Sequence, residues 1–290
     1  MAAPKTYPHR EVRTRRVRFS YPDGQRHQHY VAGDLVMSHV VAVLSGMFPE
    51  GEDFFVRSVR KHADRITDPE LKEQVKGFVG QEVTHGREHR ELNEKLAAMG
   101  YASLRVDKMT KLGLKRQERF LKPKHNLATT AALEHYTATL AEVLLTDPRA
   151  QELLGGSEVR EMLLWHALEE SEHKSVAFDV YQATVGDEKL RVRMMRVTHA
   201  TFVLAVVGHT LASLVTDRAA RNPLRLLKSL FALRHSPFLS REVFRRLRAY
   251  NKPGFHPDQI GNEQLLEQWR TELFGTDGAL TPHLVTGKTA

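Results

Sequence analysis

The sequence predicts an all-α protein, a four-helix bundle with additional helices at its N- and C-terminal ends. From about residue 33 onwards, apolar residues recur with the roughly 3.6-residue period of a helix. Start and stop signals then divide the chain into helical segments; Thr67-Asp68-Pro69-Glu70, with a capping residue, a proline in the first turn and an acid, is a strong one. We therefore expect a single domain, with a bundle at about residues 50–185 and a helical extension at about 189–275.

The elements are expected in the following order. Residues 1–30 are irregular, with a short hairpin where Val17 and Phe19 precede the turn signal Tyr21-Pro22-Asp23-Gly24. Phe48-Pro49-Glu50-Gly51 separates the first two helices, and residues 276–290 form a frayed tail. The expected helices span about 34–47, 51–66, 70–99, 108–121 within a polar crossover, 126–146, 157–185 and 189–216, before two or three shorter ones over 222–275.

The composition is that of a soluble globular protein, with 41% hydrophobic and 27% charged residues. The N-terminal stretch is basic and broken by prolines, which is unlike a secretory signal, so we expect a cytoplasmic protein. The absence of cysteine excludes disulfides, thiolate ligands and iron–sulfur clusters. Any metal must therefore be held by nitrogen and oxygen ligands, which suits iron, manganese or zinc.

The net charge of +8 raises the question of nucleic acid or an anionic membrane as a partner. No nucleic-acid motif accompanies the two basic runs, Arg13–Arg18 and Arg241–Arg248, and we expect both to be solvated surface, with no nucleic-acid partner. The helix at 189–216 is apolar at Phe202–Val207, but this uninterrupted run is far short of the roughly 20 residues that a membrane span needs. A buried helix, or one at a homodimer interface, is favoured over membrane contact.

Two segments carry Glu-x-x-His within a predicted helix. One is Glu82-Val-Thr-His85 and the other is Glu170-Ser-Glu-His173. Residues three apart lie on one helix face, so each pair can direct a carboxylate and an imidazole at one point. One such pair is weak evidence, because Glu and His are common on exposed helices, but two pairs on separate long helices are more specific.

A dinuclear carboxylate site in a four-helix bundle also needs one Glu from each of the two remaining helices. Glu52 and Glu134 stand in the expected order, and Glu134 lies in a mostly apolar helix where an unpaired carboxylate would be costly. His166, four residues before Glu170, points to the same side and is a further candidate ligand. Surface glutamates, or a buried ion-pair network, are the alternative. The candidate metal ligands are Glu52, Glu82, His85, Glu134, His166, Glu170 and His173.

Other acidic and histidine residues fit the site less well. His89 lies on the face of Glu82 two turns on, and either lines a substrate pocket or lies behind the ligands or at the surface. Glu169 and Glu172 point away from Glu170, as surface residues or as outer partners. His135 and Asp179 are not expected to be ligands.

Three sequence blocks resemble the bacterial family described as predicted metal-dependent hydrolase, over roughly residues 10–250. They are Phe48-Pro-Glu-Gly-Glu-Asp-Phe-Phe, Gly80-Gln-Glu-Val-Thr-His-Gly-Arg-Glu-His and the block from Trp165 to Tyr181. The resemblance implies a ferritin-like fold and a metal-dependent activity. More distantly, the ligand pattern with His166 is similar to that of di-iron N-oxygenases of the p-aminobenzoate type, which oxidise aryl amines.

These observations predict an enzyme with two metal ions, with iron first and manganese or zinc as alternatives. The leading hypothesis is activation of dioxygen to oxidise a small organic substrate; metal-dependent hydrolysis and iron oxidation without an organic substrate are the alternatives. An electron-donor protein and a homodimer remain open. Residues one turn from the ligands are expected to line the pocket: Phe55, Val56, Phe78, Thr130, Ala138, Ala141 and Ala177.

Overall fold

The computed structural model describes residues 7–21, 28–155 and 158–285. It confirms the all-α prediction: within the described residues the only β pairing is an isolated bridge between Val17 and Leu284. The helices are α1 (Leu35–Arg60), α2 (Pro69–Ala98), α3 (Ser103–Phe120), α4 (Pro123–Thr146), α5 (Pro148–Leu153), α6 (Glu158–His173), α7 (Val176–Thr184), α8 (Glu188–Thr216), α9 (Pro223–Leu233), α10 (Arg241–Ala249) and α11 (Glu263–Phe274).

Aspartate caps start three of the long helices, as local sequence signals predict. The side chain of Asp68 accepts from the Leu71 amide at 2.9 Å, with Pro69 in the first turn, so the predicted restart of the helix is confirmed. Asp34 caps α1 in the same way, and Asp187 caps α8. These caps satisfy amides that lack a partner inside the helix.

The bundle consists of α1, α2, α4 and the consecutive helices α6 and α7, while α3 packs against α1. Helices α1 and α2 are antiparallel, since Ser45 meets Asn93 at one level and Glu52 meets Gly86 at another. Two apolar clusters fill the bundle. One cluster includes Phe54, Phe78 and Val180, and the other includes Leu92, Leu145 and Trp165. Most candidate ligands occupy sequence positions between the residues of these two clusters, so they lie in the middle of the bundle. Glu134 lies among residues of the first cluster and His166 among residues of the second.

The prediction that Pro49 separates two helices is wrong, because α1 runs through it without a break. A proline inside a helix removes the hydrogen bond to the carbonyl four residues earlier, here that of Ser45. The Asn93 side-chain amide on α2 donates to this carbonyl at 2.9 Å. Helix α2 therefore supplies the missing donor, and α1 continues through Glu52 to its end at Arg60.

The predicted helix at 157–185 is divided into α6 and α7 by a turn at Lys174 and Ser175. The segment after α10 stabilises this turn: Asp258 accepts from the Ser175 hydroxyl, and the Ile260 carbonyl accepts from Lys174 Nζ at 2.6 Å. The turn follows directly on His173, so it ends the helix that carries three candidate ligands.

The two chain ends differ from expectation. The turn of the predicted hairpin, residues 22–24, lies outside the described residues; Val17 pairs instead with Leu284, and the Val285 amide donates to the Arg16 carbonyl. Residues 276–285 are therefore not a frayed tail, and Leu280 is fully buried. In the arm formed by residues 7–21, alternate residues point inwards, and one of them is Arg15. The expectation that the whole run Arg13–Arg18 is solvated is wrong for this residue.

Helix α8 packs one side against α4 and α1 and leaves the other side exposed, so it is not a buried helix in this chain. By length and composition alone, α8 could cross a membrane; it is the one described helix that meets this criterion, and 22% of its apolar window is buried. Both core helices and true spans have such compositions, so this is weak evidence by itself.

Candidate metal centre

Four helices bring the seven predicted ligands into one buried site. Glu52 comes from α1, Glu82 and His85 from α2, Glu134 from α4, and His166, Glu170 and His173 from α6. None is more than 4% exposed. Helix geometry places each Glu-x-x-His pair on one face, and the bundle turns both faces inwards.

One group of donor atoms belongs to Glu52, His85 and His166. These atoms lie within 4.8 Å of one another. Nε2 of His166 is 3.7 Å from Oε1 of Glu52. A single cation between them would contact one carboxylate and two imidazoles.

A second group belongs to Glu82, Glu170 and His173, whose donor atoms also lie within 4.8 Å of one another. Nε2 of His173 is 3.1 Å from Oε1 of Glu82 and 3.3 Å from Oε2 of Glu134. Glu134 therefore adds a further carboxylate to this group.

Glu170 connects the two groups. Its Oε1 atom lies 2.9 Å from Nε2 of His166 and its Oε2 atom lies 3.6 Å from Nε2 of His173. Each oxygen thus faces a different group. This is the arrangement expected of a carboxylate that bridges two cations.

Many donor atoms at this site have no hydrogen-bond partner. They include both carboxylate oxygens of Glu52, Glu82 and Glu134, together with Nδ1 of His85 and Nε2 of His173. Although His173 lies close to Glu82 and Glu134, those contacts lack hydrogen-bond geometry. Buried polar groups are normally paired, and leaving a charged one unpaired costs several kcal/mol. Two cations would satisfy these atoms, so the residues fit a dinuclear metal centre.

Electrostatics support the same conclusion. Burial, and then the neighbouring carboxylate, raises the pKa of Glu52 and of Glu82 well above the usual range, and burial raises the pKa of Glu134 to about 7. Burial acts the same way on Glu170, but His173 and His166 outweigh it and hold the pKa of Glu170 well below its usual range. Burial and mutual repulsion oppose the ionisation of four carboxylates in one dry site, whereas two divalent ions would balance their charge.

Each histidine presents its other ring nitrogen to a polar partner behind the site. His85 Nε2 is 3.0 Å from Glu169 Oε2, and His173 Nδ1 is 2.8 Å from Gln81 Oε1. The partner of His166 is His89, with a separation of 2.9 Å. Such partners orient a metal-binding imidazole and strengthen it as a ligand.

The outer residues can now be compared with expectation. His89 lies behind His166, and Glu169 is an outer partner rather than a surface residue. Glu172 is also buried, where Arg15 and Arg270 pair with it. His135 bonds to the Arg246 carbonyl, and Asp179 pairs with Arg10 and His256, so neither belongs to the ligand group, as predicted.

Sequence reasoning missed Arg15 and Gln81. Arg15 Nη1 lies 3.2 Å from Glu169 and 2.8 Å from Glu172, so the N-terminal arm supports the carboxylate behind His85. Gln81 also donates to Glu172 at 3.0 Å. Gln81 directly precedes the candidate ligand Glu82, and this position could have suggested a role beside the site. Nothing local distinguishes Arg15 from its basic neighbours except the inward alternation with Val17 and Phe19.

The seven residues expected to line a pocket are all buried, which is compatible with that role and with a simple core role. Phe55, Phe78 and Ala177 belong to one apolar cluster, and the Phe78 ring packs edge-on against His173 at 4.9 Å. Contact of these residues with a substrate stays a prediction.

An all-α bundle that buries four carboxylates and three imidazoles in two adjoining groups defines the class of protein: a helical bundle with a candidate dinuclear metal centre. The chain belongs to the family described as predicted metal-dependent hydrolase, whose model matches residues 13–261 and thus all seven candidate ligands. Comparisons with curated proteins and with solved structures find no match.

Proposed function

We propose that this chain is a dinuclear metal enzyme that hydrolyses a small organic substrate. The observation that carries the proposal is the group of buried carboxylates without hydrogen-bond partners, which two cations would satisfy. The family description supports hydrolysis better than the dioxygen activation that the sequence analysis places first. Bound metal ions would supply a water of lowered pKa and stabilise the leaving oxygen.

The chain's own residues have three tasks in this proposal. Glu52, Glu134, His166 and the two Glu-x-x-His pairs would hold the ions, and Glu170 spans both groups. Glu169, Gln81 and His89 hold the three imidazoles in orientation. The apolar clusters on either side exclude bulk water, which strengthens electrostatic interactions within the site.

Dioxygen activation is the second candidate, and the ligand pattern favours it. Two Glu-x-x-His pairs in a ferritin-like order are typical of di-iron carboxylate proteins. The additional His166 lies within reach of Glu52 and Glu170. Iron would then be the resident metal. For hydrolysis, manganese or zinc would suit these nitrogen and oxygen ligands as well as iron would.

Metal stoichiometry tests the site itself. We expect two metal ions per chain, and we expect Glu134→Gln to lower this number. Glu142→Gln is the matched control, because Glu142 lies on the same helix, is also buried, and pairs with Lys174 and Arg246 outside the site. Equal metal content in the two variants would remove Glu134 from the centre.

Activity assays then separate the reactions. Hydrolysis predicts that zinc- or manganese-loaded protein cleaves p-nitrophenyl acetate or p-nitrophenyl phosphate without oxygen, and that Glu134→Gln loses this activity. Dioxygen activation predicts oxygen consumption by the ferrous protein and no anaerobic ester cleavage. Oxygen consumption that stops once the iron is oxidised, with no organic product, would indicate iron oxidation alone.

A further inference from the structure

Helices α8 and α9 carry a row of large apolar side chains that face solvent. The six that define this outer face are each at least 57% exposed. Surface hydrophobic residues scattered singly are ordinary, but large exposed ones that recur at helical spacing on two consecutive helices indicate an interaction surface. The outer face consists of Leu204, Leu211 and Val215 on α8, and Leu224, Leu227 and Phe231 on α9.

The opposite sides of both helices are already occupied. Leu214 of α8 packs with Leu35 and Val36 at the start of α1. On α9, the Ser229 hydroxyl accepts from the Val36 amide at 2.8 Å and donates to Asp34. The outer face therefore has no role in packing the bundle. Because α8 packs along α4 and α1, a span by α8 would carry these helices into the bilayer too, although its own length and composition would allow one.

The charged residues around the outer face indicate the charge of the partner surface that would cover it. Residues 189–241 contain ten Lys or Arg and a single acidic residue, Asp217. Asp217 is buried and bonded to His29 and His39, so it does not offset the exposed cations. The cations interleave with the apolar row. They are Arg196 before it, Arg218 and Arg221 between the helices, and Lys228 and Arg234 along α9. Arg225 is bonded to His29 instead.

A groove of about 410 Å³ lies at the N-terminal end of the outer face. Lys189, Arg193 and Arg196 line it, and its one acid, Glu188, pairs with Arg191. The groove also reaches Val197, the residue that follows Arg196 on α8. A concave cationic site thus adjoins the apolar row.

We propose that the outer face docks in the plane of an anionic lipid bilayer, with the apolar row in the interface and the cations against lipid phosphates. Amphipathic helices bind in this way when buried apolar area and attraction to anionic lipids act together. A second copy of the chain fits less well, because a two-fold contact would bring the two cationic rims together.

Vesicle sedimentation of the metal-loaded protein tests the proposal. We expect binding to vesicles of equal parts phosphatidylcholine and phosphatidylglycerol, and much weaker binding to phosphatidylcholine alone. At about 1 M NaCl, where the screening length falls to about 3 Å, binding to the anionic vesicles should drop sharply. No binding, or equal binding to neutral vesicles, overturns the proposal.

Substitutions locate the surface. Leu211→Glu and Leu227→Glu should each weaken vesicle binding about tenfold or more. Lys228→Glu should weaken it at least about fivefold. The matched control is Leu112→Glu on α3, because Leu112 is 54% exposed but lies outside the outer face. If Leu112→Glu weakened vesicle binding as much as Leu211→Glu does, the binding surface would lie elsewhere. Metal content and helical circular dichroism show that each variant folds.

Sedimentation velocity in the absence of lipid tests the competing partner. We expect a monomer whose size does not change in Leu211→Glu. A stable dimer that Leu211→Glu dissociates would instead assign the face to a second copy of this chain and overturn the proposal.

Discussion

Nε2 of His89 lies 2.9 Å from Nδ1 of His166, so two buried imidazoles share one hydrogen bond at the edge of the candidate metal centre. The Ser45 hydroxyl lies 3.0 Å from the other nitrogen of His89 and donates to Asn93. Since Ser45 donates onwards, it accepts from His89 Nδ1, and His89 Nε2 must then accept from His166. His166 is therefore a donor at Nδ1, and its Nε2, which faces Glu52 and Glu170, is the nitrogen whose lone pair would bind a metal. This is the tautomer that a metal ligand requires.

Replacing His89 should weaken metal binding although His89 is not a predicted ligand. In His89→Ala, His166 loses the partner that sets its tautomer, and we expect metal affinity to fall about 10- to 100-fold. A competition titration with a chelator measures this. His135→Ala is the control, because His135 is also buried but bonds to the Arg246 carbonyl; it should lower stability and leave affinity unchanged. Equal affinity in His89→Ala and wild type would contradict the tautomer argument.

Replacing Arg15 should destabilise the whole protein. Arg15→Ala leaves Glu169 without its cation and weakens the pairing of Glu172, and breaking a buried ion pair costs about 3–5 kcal/mol. Arg18→Ala is the matched control in the same arm: Arg18 is half-exposed and pairs with the exposed Glu91, so its loss should cost at most about 1 kcal/mol. Urea denaturation of both variants compares the two costs. Similar stabilities would mean that the arm does not support α6.

Two glycines on α2 permit the close approach of the N-terminal arm. A Cβ at Gly77 would lie 2.0 Å from the Val12 carbonyl oxygen, and a Cβ at Gly80 would lie 2.0 Å from Thr14 Oγ1. Gly80→Ala should therefore displace the arm and lower the melting temperature. Gly113→Ala on α3 meets nothing within 4 Å and should stabilise the helix by up to about 1 kcal/mol. A melting temperature raised equally in both variants would contradict the packing of the arm.

The pH dependence of the metal-free protein should change in Glu134→Gln. The pKa of Glu134 is about 7 in the fold and roughly 4.3 in the unfolded chain. A raised pKa contributes stability that is complete below about pH 4.3 and is lost as pH rises through about 7. Glutamine cannot ionise, so at pH 8 the metal-free variant should be more stable than wild type, by on the order of 3 kcal/mol.

Thermal melts from pH 4 to 8, with a chelator present, check this difference. The gap between variant and wild type should close as the pH falls towards 4. Added metal should reverse the order at pH 8, because bound cations favour the ionised carboxylate that only the wild type has. A gap that does not depend on pH would show that Glu134 does not titrate in this range.

Residue spacing alone predicted most of the helices and the faces on which the two Glu-x-x-His pairs lie. The two Glu-x-x-His pairs lie on single faces because three residues span less than one turn, whatever surrounds the helix. The start of α2 at Pro69 follows from a cap that Asp68 forms with Leu71, three residues away. Glu52 and Glu134 were predicted only through the order that a four-helix site demands, and their role as ligands stays a prediction until metal is measured.

Only the tertiary structure decided the features that depend on distant segments. Helix α1 continues through Pro49 because Asn93, 44 residues later, donates to the Ser45 carbonyl. Arg15 is buried because Glu169 and Glu172 accept hydrogen bonds from its guanidinium group, and Val17 pairs with Leu284 rather than with its own neighbours. Helix caps, the helical period and the face on which each side chain lies are set by backbone geometry within a few residues. The sequence therefore determines them by itself. A carbonyl freed by a proline, a buried charge and an extended arm each need a partner from a distant part of the chain. Only the folded structure shows which partner that is.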